Sequence, residues 1–178
     1  MLLWFKSKLV MIVAGLILVS AIAGFFYFYV GNINTERMEN NCQHVADVVN
    51  TVYTTDSYEA GQDIIFGEAD NPDEGSISLP EDISREPYEL IFYRDMVAME
   101  IEDETRAAEF GMEVHLWDPE KRERSDILPE EEVESMDEDY DGFSVSSDED
   151  NIIHVRKLRI CDGSEEVDRV FVFEGGSR

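Results

Sequence analysis

Apolar and polar positions divide the chain into one long rod followed by a series of short alternating segments. Residues 9–30, LVMIVAGLILVSAIAGFFYFYV, are almost wholly apolar, and no charged side chain stands between Lys8 and Glu36. Beyond that run the chain turns polar but keeps one apolar stripe, Met38, Cys42, Val45, Val49 and Val52, at spacings of four, three, four and three. Asn40, Asn41, Gln43, His44, Asp47 and Thr51 fill the opposite side. Spacings of three and four mark an α-helix with one buried face. No proline interrupts residues 9–53, and Gly31 is the only residue at the junction able to bend them. We therefore expect one continuous helix, roughly 65–70 Å long at about 1.5 Å per residue. Residues 9–30 form a transmembrane helix of the length a bilayer core requires. Residues 31–54 continue it as an amphipathic helix lying against a folded domain.

From residue 55 onward the dominant period is two. After a break at Gly61 come a strand at 63–66 and a loop at 67–75 rich in Asp, Asn, Pro and Gly. A second strand at 76–79 is ended by Pro80. Tyr88, Leu90 and Phe92 alternate with Glu89, Ile91 and Tyr93. Arg94-Asp95 forms a tight turn, and Val97, Met99 and Ile101 carry the return strand of a hairpin. Residues 102–109 read as a charged linker or a helical turn. Met112, Val114 and Leu116 form a strand stopped by Asp118-Pro119, which places His115 and Trp117 on the sheet surface. Residues 118–142 are an acidic surface excursion, with a short helical stretch around 130–136. Two more strands come next at 143–147 and 151–161, and a slip in the alternation near Lys157 points to a bulge. Asp162-Gly163 is a strong hairpin signal leading into a last strand at 167–173. A half-apolar sheet needs a layer against its inner face. The stripe ending at Val52 belongs to the only long amphipathic helix in the sequence. The expected class is α+β, a long N-terminal transmembrane and amphipathic helix packed on an antiparallel β-sheet.

Charge sharpens this picture. The 178 residues carry 41 Asp and Glu against 14 Lys and Arg, a formal net charge of −27. Outside the anchor the only lysines are Lys121 and Lys157. About 120 residues outside the helix suffice for one modest core. With no basic patch to neutralise phosphates, nucleic acid is excluded as a partner. So many carboxylates with so few lysines suit a surface built for high salt. The Debye length falls from about 10 Å at 0.1 M to about 3 Å at 1 M, where crowded carboxylates stop repelling one another. A disordered acidic tail is the competing explanation, but hydrophobic alternation continues to Phe173. Circular dichroism is expected to show the domain losing structure in dilute buffer and regaining it in molar salt. A spectrum indifferent to salt would count against a salt-adapted surface.

Lys6 and Lys8 precede the apolar run, and acidic residues dominate the chain beyond it. The positive-inside rule then makes residues 1–8 a short cytoplasmic leader and puts residues 55–178 outside the cell membrane. Trp4 and Phe5 at one end of the span, and Phe25 to Tyr29 at the other, suit aromatic belts at the two interfaces. A cleaved signal peptide is the rival, with Ala21-Ile22-Ala23 as its small-residue site. Cleavage there would leave GFFYFYV as a greasy new terminus. Ser20 and Gly24 form a small-xxx-small pair, with Ala14 and Gly15 further down, of the kind that lets helices approach in lipid.

Candidate chemistry is sparse. Asp137, Asp139, Asp141 and Gly142 match the D-x-D-x-D-G start of a calcium loop, with Asp148 at the twelfth position. Asp148 replaces the usual bidentate Glu and Ser144 stands where an apolar residue is expected, so calcium and a plain solvated loop both remain open. Cys42 and Cys161 are the only cysteines, either a disulfide outside the cell or two small buried thiols. His44, His115 and His154 lack ligand spacing, and no Asn-x-Ser/Thr sequon occurs. No serine, threonine or cysteine sits in a nucleophile motif, so we expect no enzyme, and no cofactor beyond that calcium.

The chain resembles the type IV pilin-like membrane proteins of archaea. The resemblance rests on the short basic leader MLLWFKSK, the uncharged span, the continuation MENNCQHVADVVNTVYTT, and the strand series opening with SISLPEDISREPYELIFYRDMVAMEI. It covers the architecture of most of the chain. Lys6-Ser7 is the nearest match to the basic-then-small pair before such a family's cleavage point, and Lys8 comes directly after it. The resemblance implies a helix held first in the membrane and then in a filament core, with a β domain outside. The acidic balance points to a halophilic member. It also implies an extracytoplasmic structural role, as a pilin-like subunit or minor component self-associating through its N-terminal helix or joining other such subunits. A membrane-tethered binding module is the alternative, with the acidic residues of 118–150 as a site for a cation or protein partner.

Overall fold

A single helix, α1, runs without interruption over Leu2–Thr54, as its unbroken apolar and amphipathic periods require. The computed structural model describes residues 2–57, 60–67, 76–119, 133, 142–162 and 165–175. The chain divides into two units, Met1–Arg37 and Met38–Arg178. The first consists of α1 alone. The second contains the last turns of α1 and, among the described residues, eight strands, β1 (Ala60–Phe66), β2 (Ser76–Leu79), β3 (Glu89–Phe92), β4 (Met96–Ile101), β5 (Glu104–Glu109), β6 (Phe143–Ser146), β7 (Ile152–Asp162) and β8 (Glu165–Gly175).

These strands form two sheets of four, ordered β2-β1-β7-β8 and β5-β4-β3-β6. The expected α+β class, a long helix packed on mainly antiparallel strands, holds, with the strands divided into two sheets instead of one. Alternation reports which face of a strand is buried, but not which strands are neighbours. The β1–β2 pair is parallel, with Asp63 opposite Ser76 and Phe66 opposite Leu79. Every other ladder among the described residues is antiparallel.

The core lies between α1 and the two sheets. Met38, Cys42, Val45, Val49 and Val52 are all buried, so the stripe faces inward as its spacing requires, and Ala46 and Val48 widen it. Ile64, Phe66, Ile153, Val155, Val170 and Val172 meet it from the first sheet. Leu90, Phe92, Val97, Met99 and Val145 meet it from the second. Each fully buried aliphatic side chain contributes about 1.5–3 kcal/mol, which makes this stripe the main attachment of α1 to the β layers.

Several local expectations need correction. Gly61 does not break the chain but lies inside β1, where a Cβ would come within 2.7 Å of the Arg156 side chain. Residues 104–109 form β5, an edge strand in full register with β4. Its inward positions are filled by Ala108 and the half-buried Arg106 rather than by large apolar residues, so its alternation is faint. The turn into it places Glu102 at φ 52°, a left-handed position where glycine is the usual signal. Residues 112–117 do not form a strand. Val114 N–H donates to the Arg94 carbonyl beside the second sheet, whereas His115 exchanges backbone bonds with Val170 and Val172 of β8 in the first. This segment therefore crosses from one sheet to the other, touching β8 through a single parallel bridge.

The expected bulge near Lys157 is absent, since β7 and β8 keep one register from Ile152–Gly175 to Asp162–Glu165. The slip has another cause. Ile153 and Val155 face the main core. Ile160, on the opposite face, enters a second cluster with Trp117, Val133, Phe171 and Phe173. Trp117 is thus buried beneath a second layer, not displayed on the sheet surface, and His115 rests half-buried on Phe171 at 5.1 Å between ring centres. Val133, helical and fully buried, pins the acidic excursion at one point, and Pro119 is buried at its start. Residues 120–132 and 134–141 lie outside the described residues.

Lys157 continues the inner face of β7 and is only 5% exposed. Its ammonium donates to the carbonyls of Tyr53 at 2.9 Å and Thr55 at 2.8 Å, and lies 3.2 Å from an Asp168 carboxylate oxygen. The last carbonyls of a helix lack intrahelical donors and carry partial negative charge. A cation supplied by the sheet satisfies both needs at once.

Candidate functional site: an exposed apolar helix segment

The most unusual surface of the molecule is on α1. Leu16, Ile17, Leu18 and Val19 are 63–65% exposed, and four consecutive residues sweep a full helical turn, so no side of the helix is covered. Exposure continues through Phe25, Phe26, Tyr27, Phe28 and Tyr29 to Val30. Phe25 stacks on Tyr29 at 6.1 Å and meets Phe26 edge-on at 6.4 Å. A Cβ added at Gly15, Gly24 or Gly31 would meet no atom within 4 Å. With a mean hydropathy of 2.3 over its most apolar stretch, α1 is long and apolar enough to cross a membrane. Thr35, whose hydroxyl donates to the Gly31 carbonyl at 3.0 Å, stands where the uncharged run gives way to Glu36.

A second feature is an open cleft of about 340 Å³ beside β1, lined by Phe66, Glu81, Asp82, Arg85, Ser147 and Asp148 among others. One wall is the tight turn at 83–86, closed by paired backbone bonds between Ile83 and Glu86. Ser84 and Arg85 both take left-handed φ, 61° and 73°, without glycine. On the other wall Ser147, buried, accepts from the Tyr88 N–H at 2.9 Å and donates to the Glu81 carbonyl at 2.7 Å. The Tyr88 hydroxyl donates to the Pro80 carbonyl at 2.6 Å. These bonds tie the two walls together. The carboxylates on them repel anions.

Of the four candidate calcium ligands, Asp137, Asp139 and Asp141 lie outside the described residues. Asp148 is exposed in the turn after β6 and accepts from the Ser146 hydroxyl at 2.5 Å. Gly142 has a packing role, because a Cβ there would sit 2.7 Å from the Phe92 carbonyl. No three His, Cys, Asp or Glu among the described residues are placed to hold a metal.

The histidines do not share a site. His44 is exposed on α1 and His115 rests on Phe171. His154 belongs to a group that sequence reasoning missed. Its Nδ1 lies 2.8 Å from an Asp63 oxygen, which also pairs with Arg156 at 2.6 Å. Cross-strand register alone sets Asp63 opposite His154, a pairing invisible before the strand order is known. Burial pushes the Asp63 pKa up, but hydrogen bonds from Arg156 and His154, with their charges, outweigh it and hold the carboxyl below its usual 3.8. A carboxylate with a depressed folded pKa stabilises the fold above its unfolded pKa and stops doing so as pH falls through the folded value. Urea unfolding should therefore show Asp63→Asn destabilised relative to the native chain at pH 7, with the gap closing as pH drops below about 3.8. A gap independent of pH would remove the ion pair as its source.

Cys42 is a buried free thiol whose Sγ donates to the Arg106 carbonyl of β5 at 3.3 Å. Burial raises its pKa to about 11, partly offset by backbone hydrogen bonds involving Met99 and its own main chain. At neutral pH it is a protonated, unreactive thiol. The side chain of Cys161 lies outside the described residues, and its backbone pairs with Glu166 in the first sheet. No family model, curated protein or solved structure matches the chain.

Proposed function

We propose that this is a single-pass cell-membrane protein, N-terminus cytoplasmic, that displays a salt-adapted β domain outside the cell and acts structurally. Residues 9–30 assemble with copies of the same chain or with other pilin-like subunits, as a filament subunit or a minor component of such an assembly. The observation that carries this is the apolar helix exposed on every side between Met11 and Val30. The same helix goes on to supply the core stripe of the domain. In water so much exposed apolar surface is costly, at about 25 cal/mol per Å²; lipid or neighbouring helices remove that cost. Lys6 and Lys8 before the span, and the acidic balance after it, support the orientation.

Replacing Leu16, Ile17 and Leu18 together by arginine should move the protein out of the membrane fraction. Each arginine at a span centre costs about 2.5–3.5 kcal/mol on insertion scales. Retention of the triple variant through alkaline carbonate extraction would defeat the anchoring half of the proposal. Immunogold labelling tests the other half, where filaments support assembly and a diffuse envelope signal opposes it.

The acidic cleft favours a second reading, a membrane-tethered module that binds a cation or a protein partner. Replacing Asp82, Asp148 and Asp150 on the cleft walls together by asparagine separates the two, since assembly through the span should survive and partner binding should not.

A further inference from the structure

We draw no further inference here: the strongest candidate, the acidic cleft between the turn at 83–86 and the loop at 147–150, is a cluster of carboxylates on exposed segments, and no buried unpartnered polar group among the described residues is aimed into it.

Discussion

Replacing Lys157 by alanine lowers the stability of the β domain by about 2 kcal/mol, the expected result of taking a charged donor from two part-buried carbonyls. The carbonyls of Tyr53 and Thr55 receive that donor from the floor of the sheet, and alanine is too short to reach them. Methionine at 157 restores the packing of the stem but not the bonds, so it should recover only part of the loss. Asp168→Asn is the control. Asp168 is 29% exposed and shared with Arg159, and a pair of that kind contributes about 1 kcal/mol or less. Chemical denaturation of the three variants in molar salt measures the differences. If Lys157→Ala and Asp168→Asn were equal, the ion pair and not the helix cap would be the source of stability.

Phe171→Ala is expected to cost about 3–5 kcal/mol, the range for deleting a buried phenyl ring. Phe171 is fully buried, meets Trp117 edge-on at 5.0 Å and supports His115 at 5.1 Å. Its loss should loosen the second cluster before the main core, because Val170 and Val172 on the other face of β8 are untouched. Trp117 reports this directly. Its emission should shift to the red in the variant, with Trp4 replaced by phenylalanine to remove the second indole. An unshifted spectrum with native stability would mean that Val133 and Trp117 do not form a cohesive layer over β7 and β8.

What the sequence disclosed depended on how many residues repeated each signal. The helix and its inward stripe were legible because an unbroken apolar run leads without proline into one clear helical period from Met38 to Val52. The β3–β4 hairpin and the β7–β8 pairing were legible because each joins clear alternation to a local turn signal. β5 was not, since Ala108 and the stem of Arg106 bury its inner face with little hydrophobic contrast. The apparent slip in β7 marked the point where burial passes from one covered face to two, and a single strand cannot tell that from a bulge. Lys157 looked like a polar interruption because alternation records side-chain type, whereas its burial depends on the helix end packed above it. Neither the Asp63–His154–Arg156 group nor the cleft could be read before the strand order was known.

That strand order has a consequence for how the chain is made. The second sheet is complete once Ser146 has left the ribosome; β3, β4 and β5 follow one another in sequence, and only β6 joins them from further along the chain. In the first sheet β1 waits with only β2 beside it, because its other partner, β7, is among the last residues to be synthesised. Until then one flank of the α1 stripe faces water uncovered, and non-local pairing of this kind is slow and exposed to aggregation. Nascent chains carrying the crowded negative charge of this sequence repel one another during that interval, so the carboxylates that crowd the finished surface also hold unfinished copies apart.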